Sequence, residues 1–183
     1  MNAIADASSL IVLARQNALW LLQRVYPVVA LVPEVETEAV LQGRAKGYVD
    51  AERIAAAVAS GQLAVVTPTA AERELATQIG RSAPSLSNAD RLTLACARAR
   101  RLTLIMEELR GRRVAAAHGI TYVTVQVLPL HGFLGQRLSS VECDDLLVRL
   151  GRAMHSDEAV VAVLTAAASE IARLRSMPRE DTL

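Results

Sequence analysis

The sequence predicts an α/β fold: a parallel sheet layered between helices, with a helical extension at the C-terminal end. Three observations predict it. Short apolar runs at 28–32, 63–66 and 102–106 alternate with segments of helical periodicity, and such alternation implies a parallel sheet with helices on both faces. Hydrophobic residues make up 52% of the 183 residues, enough for one domain with a real core. The alternation stops near Leu138, after which only helical patterns remain.

The elements follow in order. Residues 1–5 are short and apolar, a first strand ended by Asp6. Residues 8–25 carry Leu10, Leu13, Ala14, Leu21, Leu22 and Val25 at helical spacing, with Ser8 or Asp6 as the cap. The run 28–32 reads as a buried strand. Pro33 suits the first turn of a helix over 34–41, which Gly43 would stop. A helix over 50–59 ends at Gly61, a strand occupies 63–66, and a helix covers 70–79. Another helix, 88–100, is apolar at Leu92, Ala95, Cys96 and Ala99. A strand at 102–106, a helix at 110–118 closed by Gly119, and a last strand at 120–125 complete the sheet. His131 beside Gly132 reads as loop. Helices follow over 143–154 and 157–174, and the polar residues 176–183 are expected to fray. The helix over 157–174 is apolar round much of its surface, so it is expected to be buried, on the domain or on a second subunit. Residues 1–138 thus form the α/β domain, and 139–183 an extension packed on it.

Composition narrows the chemistry. Aromatics are only 3%, so the core is built from Ala, Val, Leu and Ile. A net charge of +1 provides no strong global field for nucleic acid. Lys46 is the only lysine, so a phosphate contact would be an arginine fork. Cys96 and Cys143 form no CxxC pattern, which argues against a zinc site or a disulfide framework. The apolar run 10–22 is interrupted by Arg15, Gln16 and Asn17 and has no basic segment before it. It is neither a signal peptide nor a membrane span, and the cytoplasm is the expected compartment. His118, His131 and His155 have no partners at ligand spacing, and neither GxGxxG nor a P-loop occurs.

The acids are more informative. Ligands in open parallel sheets bind beyond the carboxyl ends of the strands. Asp6 follows the first strand, and Glu107 and Glu108 follow a later one. Glu34, Glu36 and Glu38 lie early in the helix after the second strand, and Asp90 opens a helix behind the capping residue Ser87. Each has a structural explanation as a cap or a solvated acid. Together they do not: two carboxylates about 5 Å apart repel by roughly 3 kcal/mol at an effective dielectric of 20. A cluster of them needs protons or a cation, and oxygen-only ligands point to Mg²⁺ or Mn²⁺.

With these residues in view, the sequence resembles the PIN-domain nucleases, especially toxin-like ones of the VapC kind. The opening "IADASSLIVLA" is similar to that family's strand, acid and serine. "VPEVETEAV" is similar to its proline-opened helix with an essential acid. "LSNADRLTLACARARRLTLIMEELRGRRVAAAHGI" is similar to its helix, strand, acidic pair and basic helix start. The resemblance covers about residues 3–130. It implies a metal-dependent endoribonuclease using Mg²⁺ or Mn²⁺, with RNA as substrate, an antitoxin protein as partner and a homodimer as assembly. It implies Asp6, Glu38 (or Glu36), Asp90 and one of Glu107 and Glu108 as the catalytic acids. Asp6, Asp90 and that glutamate would be the metal ligands. Ser8 would support Asp6, and Arg110, Arg112 and Arg113 would grip phosphates. The family usually has aspartate first in the pair; glutamate there moves the carboxylate by about an ångström, and such a misplacement can cost roughly 100-fold in rate. A catalytically weak PIN-like protein acting through a partner is the alternative.

Overall fold

The computed structural model describes residues 2–176. The chain divides into one compact unit ending at Val125 and a second beginning at Gln126. The first unit holds a five-stranded, all-parallel sheet in the order β3-β2-β1-β4-β5, formed by β1 (Ala3–Ala5), β2 (Val29–Leu31), β3 (Leu63–Val65), β4 (Thr103–Ile105) and β5 (Tyr122–Val123). The α/β class is therefore as expected. The central strands β1 and β2 and most of β4 are buried, with Ile4, Leu31, Leu104 and Ile105 inaccessible to solvent. Aliphatic runs with no polar alternation suit strands covered on both faces.

Strand order reverses once. The chain steps from β1 to β2 to β3 in one direction, then returns to place β4 against the other side of β1, with Ala3, Ile4 and Ala5 paired to Thr103, Leu104 and Ile105. Parallel crossovers are right-handed, so the two directions put their helices on opposite faces and leave a crevice between the carboxyl ends of β1 and β4.

The helices of this unit are α1 (Ala7–Arg15), α2 (Trp20–Val25), α3 (residues 33–45), α4 (Val49–Ala59), α5 (Ala70–Ser82), α6 (Asn88–Arg100) and α7 (Leu109–Ala117). Caps explain several starts. Asp6 accepts from the Ser9 N–H, Thr69 and Glu72 form a reciprocal capping box, Ser87 accepts from the Asp90 N–H, and Glu108 accepts from the Arg110 N–H.

Three expectations need correction. The single helix over 8–25 is two helices, α1 and α2. Asn17 adopts φ 50°, a left-handed conformation that asparagine tolerates, and the chain turns there. Gly43 does not stop α3. The helix begins as Pro33–Glu36, passes through a π-helical turn at Thr37–Leu41 and ends as Gln42–Ala45. Gly43 is instead a spacer, since a Cβ there would lie 2.7 Å from the Ala51 Cβ; Gly47, at φ 72°, follows the true end. His131 is not in a loop, because it lies in α8 (Leu128–Leu134).

In the second unit α8 is followed by α9 (Ser140–Ala153) and α10 (Glu158–Ser176). Arg175 donates to the carbonyls of Phe133 and Leu134 at 2.8 and 2.7 Å, closing the C-terminal end of α8. α10 packs along α9, yet Ala168 is the only buried one among its described residues, while Val160, Val163 and Leu174 are 45%, 67% and 54% exposed. Its apolar surface is thus broader than the stripe that the unit covers. Ser176 belongs to α10, and the rest of the tail expected to fray lies outside the described residues.

Candidate functional site

The switch point between β1 and β4 is where the acids gather. Asp6 leaves β1 with its own N–H bonded to the Ile105 carbonyl at 3.0 Å, so it sits at the edge of the crevice. Its side chain is 1% exposed. Oδ1 accepts from the Ser9 N–H at 2.7 Å; Oδ2 accepts from the Ser8 hydroxyl at 2.9 Å and from the Glu107 N–H at 3.1 Å. Burial pushes the Asp6 carboxyl above the usual carboxylate range, although these hydrogen bonds pull it down. The Ser8 hydroxyl is thus a direct partner of Asp6.

Glu38 approaches from the π-helical turn of α3. Such turns insert one residue into the helical register and recur at functional sites. Burial raises the Glu38 carboxyl pKa, and the negative fields of Asp90 and then Asp6 raise it further. Two acids from separate segments thus act electrostatically on Glu38. Asp90 lies in the first turn of α6, where the Ser87 hydroxyl donates to its Oδ2 at 2.7 Å and its N–H donates back to that hydroxyl at 3.0 Å. Glu34 approaches Arg73 at 4.0 Å, and Glu36 is half-buried.

The acidic pair divides its labour. The Glu107 carboxylate accepts from the Val125 N–H, and Arg112 stands 3.8 Å from its other oxygen. Arg112 also donates to the Glu107 carbonyl at 2.6 Å. Burial raises the Glu107 pKa, the Val125 N–H lowers it, and the Asp6 charge raises it again. Glu108 is exposed and accepts from the Arg110 N–H at 3.1 Å as the cap of α7. Arg110 and Arg113 are exposed, whereas Arg112 is held by Glu107.

The donor set fits a hard cation in chemistry: carboxylate oxygens only, with Asp90 and Asp6 raising the cost of ionising Glu38. The set is open in spacing. Among the described residues no three His, Cys, Asp or Glu side chains stand close enough to ligate one ion. Coulomb interaction reaches further than ligation, so both observations hold. What the sequence does not disclose is the Val125 N–H as the partner of Glu107, because a backbone donor has no residue signature.

The family model DUF3368, described as a PIN domain, matches residues 2–132. No curated protein matches the chain. The match spans well over half of the chain, which therefore belongs to the PIN-domain family, whose members are generally metal-dependent nucleases.

Proposed function

We propose that this PIN-domain protein is a divalent-metal-dependent endoribonuclease that hydrolyses RNA phosphodiester bonds. The observation that carries the reading is that Glu38 lies within the negative fields of both Asp90 and Asp6 at the sheet's switch point. Asp6, Asp90 and the rim residue Glu38 would hold Mg²⁺ or Mn²⁺. The bound cation would supply positive charge to the phosphodiester and ease deprotonation of the attacking water. The chain's own groups do the rest. Ser8, Ser9 and the Glu107 N–H fix Asp6 in one orientation, and burial keeps water from screening its charge. Glu107, tied to Val125 and Arg112, is a positioning residue in this reading and not a ligand. Arg110 and Arg113, exposed at the start of α7, would meet flanking phosphates.

A role as the toxin of a toxin–antitoxin pair, restrained by an antitoxin protein, accompanies this reading as part of the VapC likeness. A homodimer would cover Val160, Val163 and Leu174 of α10. The second reading, a weak or inactive PIN-like protein acting through a partner, is favoured by two observations: the Glu107 carboxylate is already engaged, and no three acids stand at ligating distance.

The test pairs Mn²⁺ thermal shift with cleavage of a structured RNA substrate. The parent protein should gain melting temperature with Mn²⁺ and cut RNA only in its presence. Asp90→Asn should lose both responses while remaining folded. A parent protein with no Mn²⁺ shift and no cleavage would favour the second reading.

A further inference from the structure

A second feature of the first unit lies outside the acid cluster. A groove of about 430 Å³ runs between α5 and α6, lined by Arg73, Thr77, Gly80, Arg81, Asn88 and Arg91 among others, with no acidic residue in its lining. Three guanidinium groups around one concavity focus positive potential there although the chain as a whole is nearly neutral. Asn88 opens α6, so the positive end of a 13-residue helix adds to the same field.

The arginines are disposed for an external anion. Arg81 and Arg73 are exposed; Arg73 has only a 4.0 Å approach from Glu34. Arg91 donates to the Pro84 carbonyl at 2.6 Å, which fixes its guanidinium in the groove wall. Gly80 makes this placement possible. A Cβ at Gly80 would lie 2.8 Å from Arg91 Nη1, so any side chain there would displace the guanidinium from the groove. Unused donors on planar forks match phosphate oxygens. The groove runs beside the first turn of α6, which also carries Asp90.

We propose that this groove binds the phosphodiester backbone of single-stranded RNA and leads it to the acid cluster; the choice of RNA rests on the nuclease reading above. A single strand can bend its phosphates into a concave groove, whereas a duplex presents them on a convex surface. No aromatic side chain lines the groove, so binding there reads the backbone and is independent of base sequence.

The test uses the full chain in EDTA, with a fluorescein-labelled decauridylate followed by anisotropy across a salt series. Arg81→Ala/Arg91→Ala should weaken binding roughly tenfold and flatten the log–log salt dependence by about 1.4. Gly80→Ala should weaken binding about threefold without lowering thermal stability, because alanine favours a helix and the clash falls on a flexible tip. Arg44→Ala, on α3, should behave as the parent. Groove variants that bind like Arg44→Ala would overturn the proposal. So would displacement of the strand by polyglutamate as effectively as by unlabelled decauridylate, which would assign the groove to an acidic protein segment. Cleavage is scored separately with Mn²⁺. Arginine-dependent binding without cleavage removes the nuclease reading and leaves the groove. Cleavage with undiminished binding by the groove variants removes the groove and leaves the nuclease reading.

Discussion

The Glu107 N–H donates to Asp6 Oδ2 at 3.1 Å, joining the ends of β4 and β1 across 101 residues of sequence. The same Glu107 turns its carboxylate toward the Val125 N–H and Arg112, so one residue couples the acid at the switch point to the end of the sheet. Glu107→Ala would leave the Val125 N–H without its acceptor and release Arg112. It is expected to cost about 2 kcal/mol of unfolding free energy. Glu107→Gln retains an acceptor oxygen and should cost less than half as much. Chemical denaturation of both variants measures the difference, and equal losses would mean that the acceptor is not what matters.

Glu38 gives a pH-dependent prediction. Its folded pKa is raised above the ordinary 4.5 by burial, Asp90 and Asp6. The folded protein therefore binds more protons than the unfolded chain between those two pKa values, and stability falls as pH rises through that window. Glu38→Gln removes the penalty. It should melt higher than the parent at pH 7, and the advantage should vanish below about pH 4, where the parent's Glu38 is protonated in both states. In the nuclease reading the same variant should also lose part of the Mn²⁺ shift. A variant that is equally stabilised at pH 7 and pH 4 would show that ionisation of Glu38 is not the cause.

Glu72 behaves in the opposite sense. Two bonds from Arg100, at 2.6 and 2.8 Å, and the Thr69 capping box hold its carboxyl at about 2, while burial opposes them. Its contribution is fully present above the unfolded pKa near 4.5 and is lost as pH falls toward 2. Glu72→Ala removes one half of the capping box, leaves the Thr69 N–H without its acceptor and takes the carboxylate from half-buried Arg100, at an expected cost of about 3 kcal/mol at pH 7. Acid titration of the parent against this variant should show the gap closing below pH 4.

How much of this was readable in the sequence depends on what each feature is made of. The strands were, because 28–32 and 102–106 are uninterrupted aliphatic runs, and Asp6 could be placed at a strand end for the same reason. The break at Asn17 was not, since one residue in a left-handed conformation leaves the apolar periodicity on both sides intact. The π turn around Glu38 has no residue signature, and Gly43 resembled a helix stop when its function is to admit Ala51. α8 was hidden by His131-Gly132, residues more typical of loops. The division between Glu107 and Glu108 could not be read either: one answers to the backbone of Val125 and the other to that of Arg110. Periodicity reports which side chains are apolar, and these roles are set by backbone donors brought in by the fold.

Gly111 supplies the last prediction. It lies buried in α7, and a Cβ built on it would collide with the Met106 sulfur, while Met106 itself is fully buried just beyond β4. Met106 immediately precedes Glu107, so pressure at Gly111 reaches the residue that orients Asp6. Gly111→Ala sits in helical backbone, where alanine by itself would stabilise by about 1 kcal/mol. The collision should outweigh that gain and leave a net loss of about 2 kcal/mol. Met106→Ala alone opens a cavity and should cost about 3 kcal/mol. In the double variant the new methyl occupies part of that cavity, so the loss should be smaller than the two single losses added together, by at least 1 kcal/mol. A double-mutant cycle by urea denaturation measures this coupling. Additive losses would show that α7 shifts as a body away from Met106, and in that case Glu107 should keep its hold on Asp6 in Gly111→Ala.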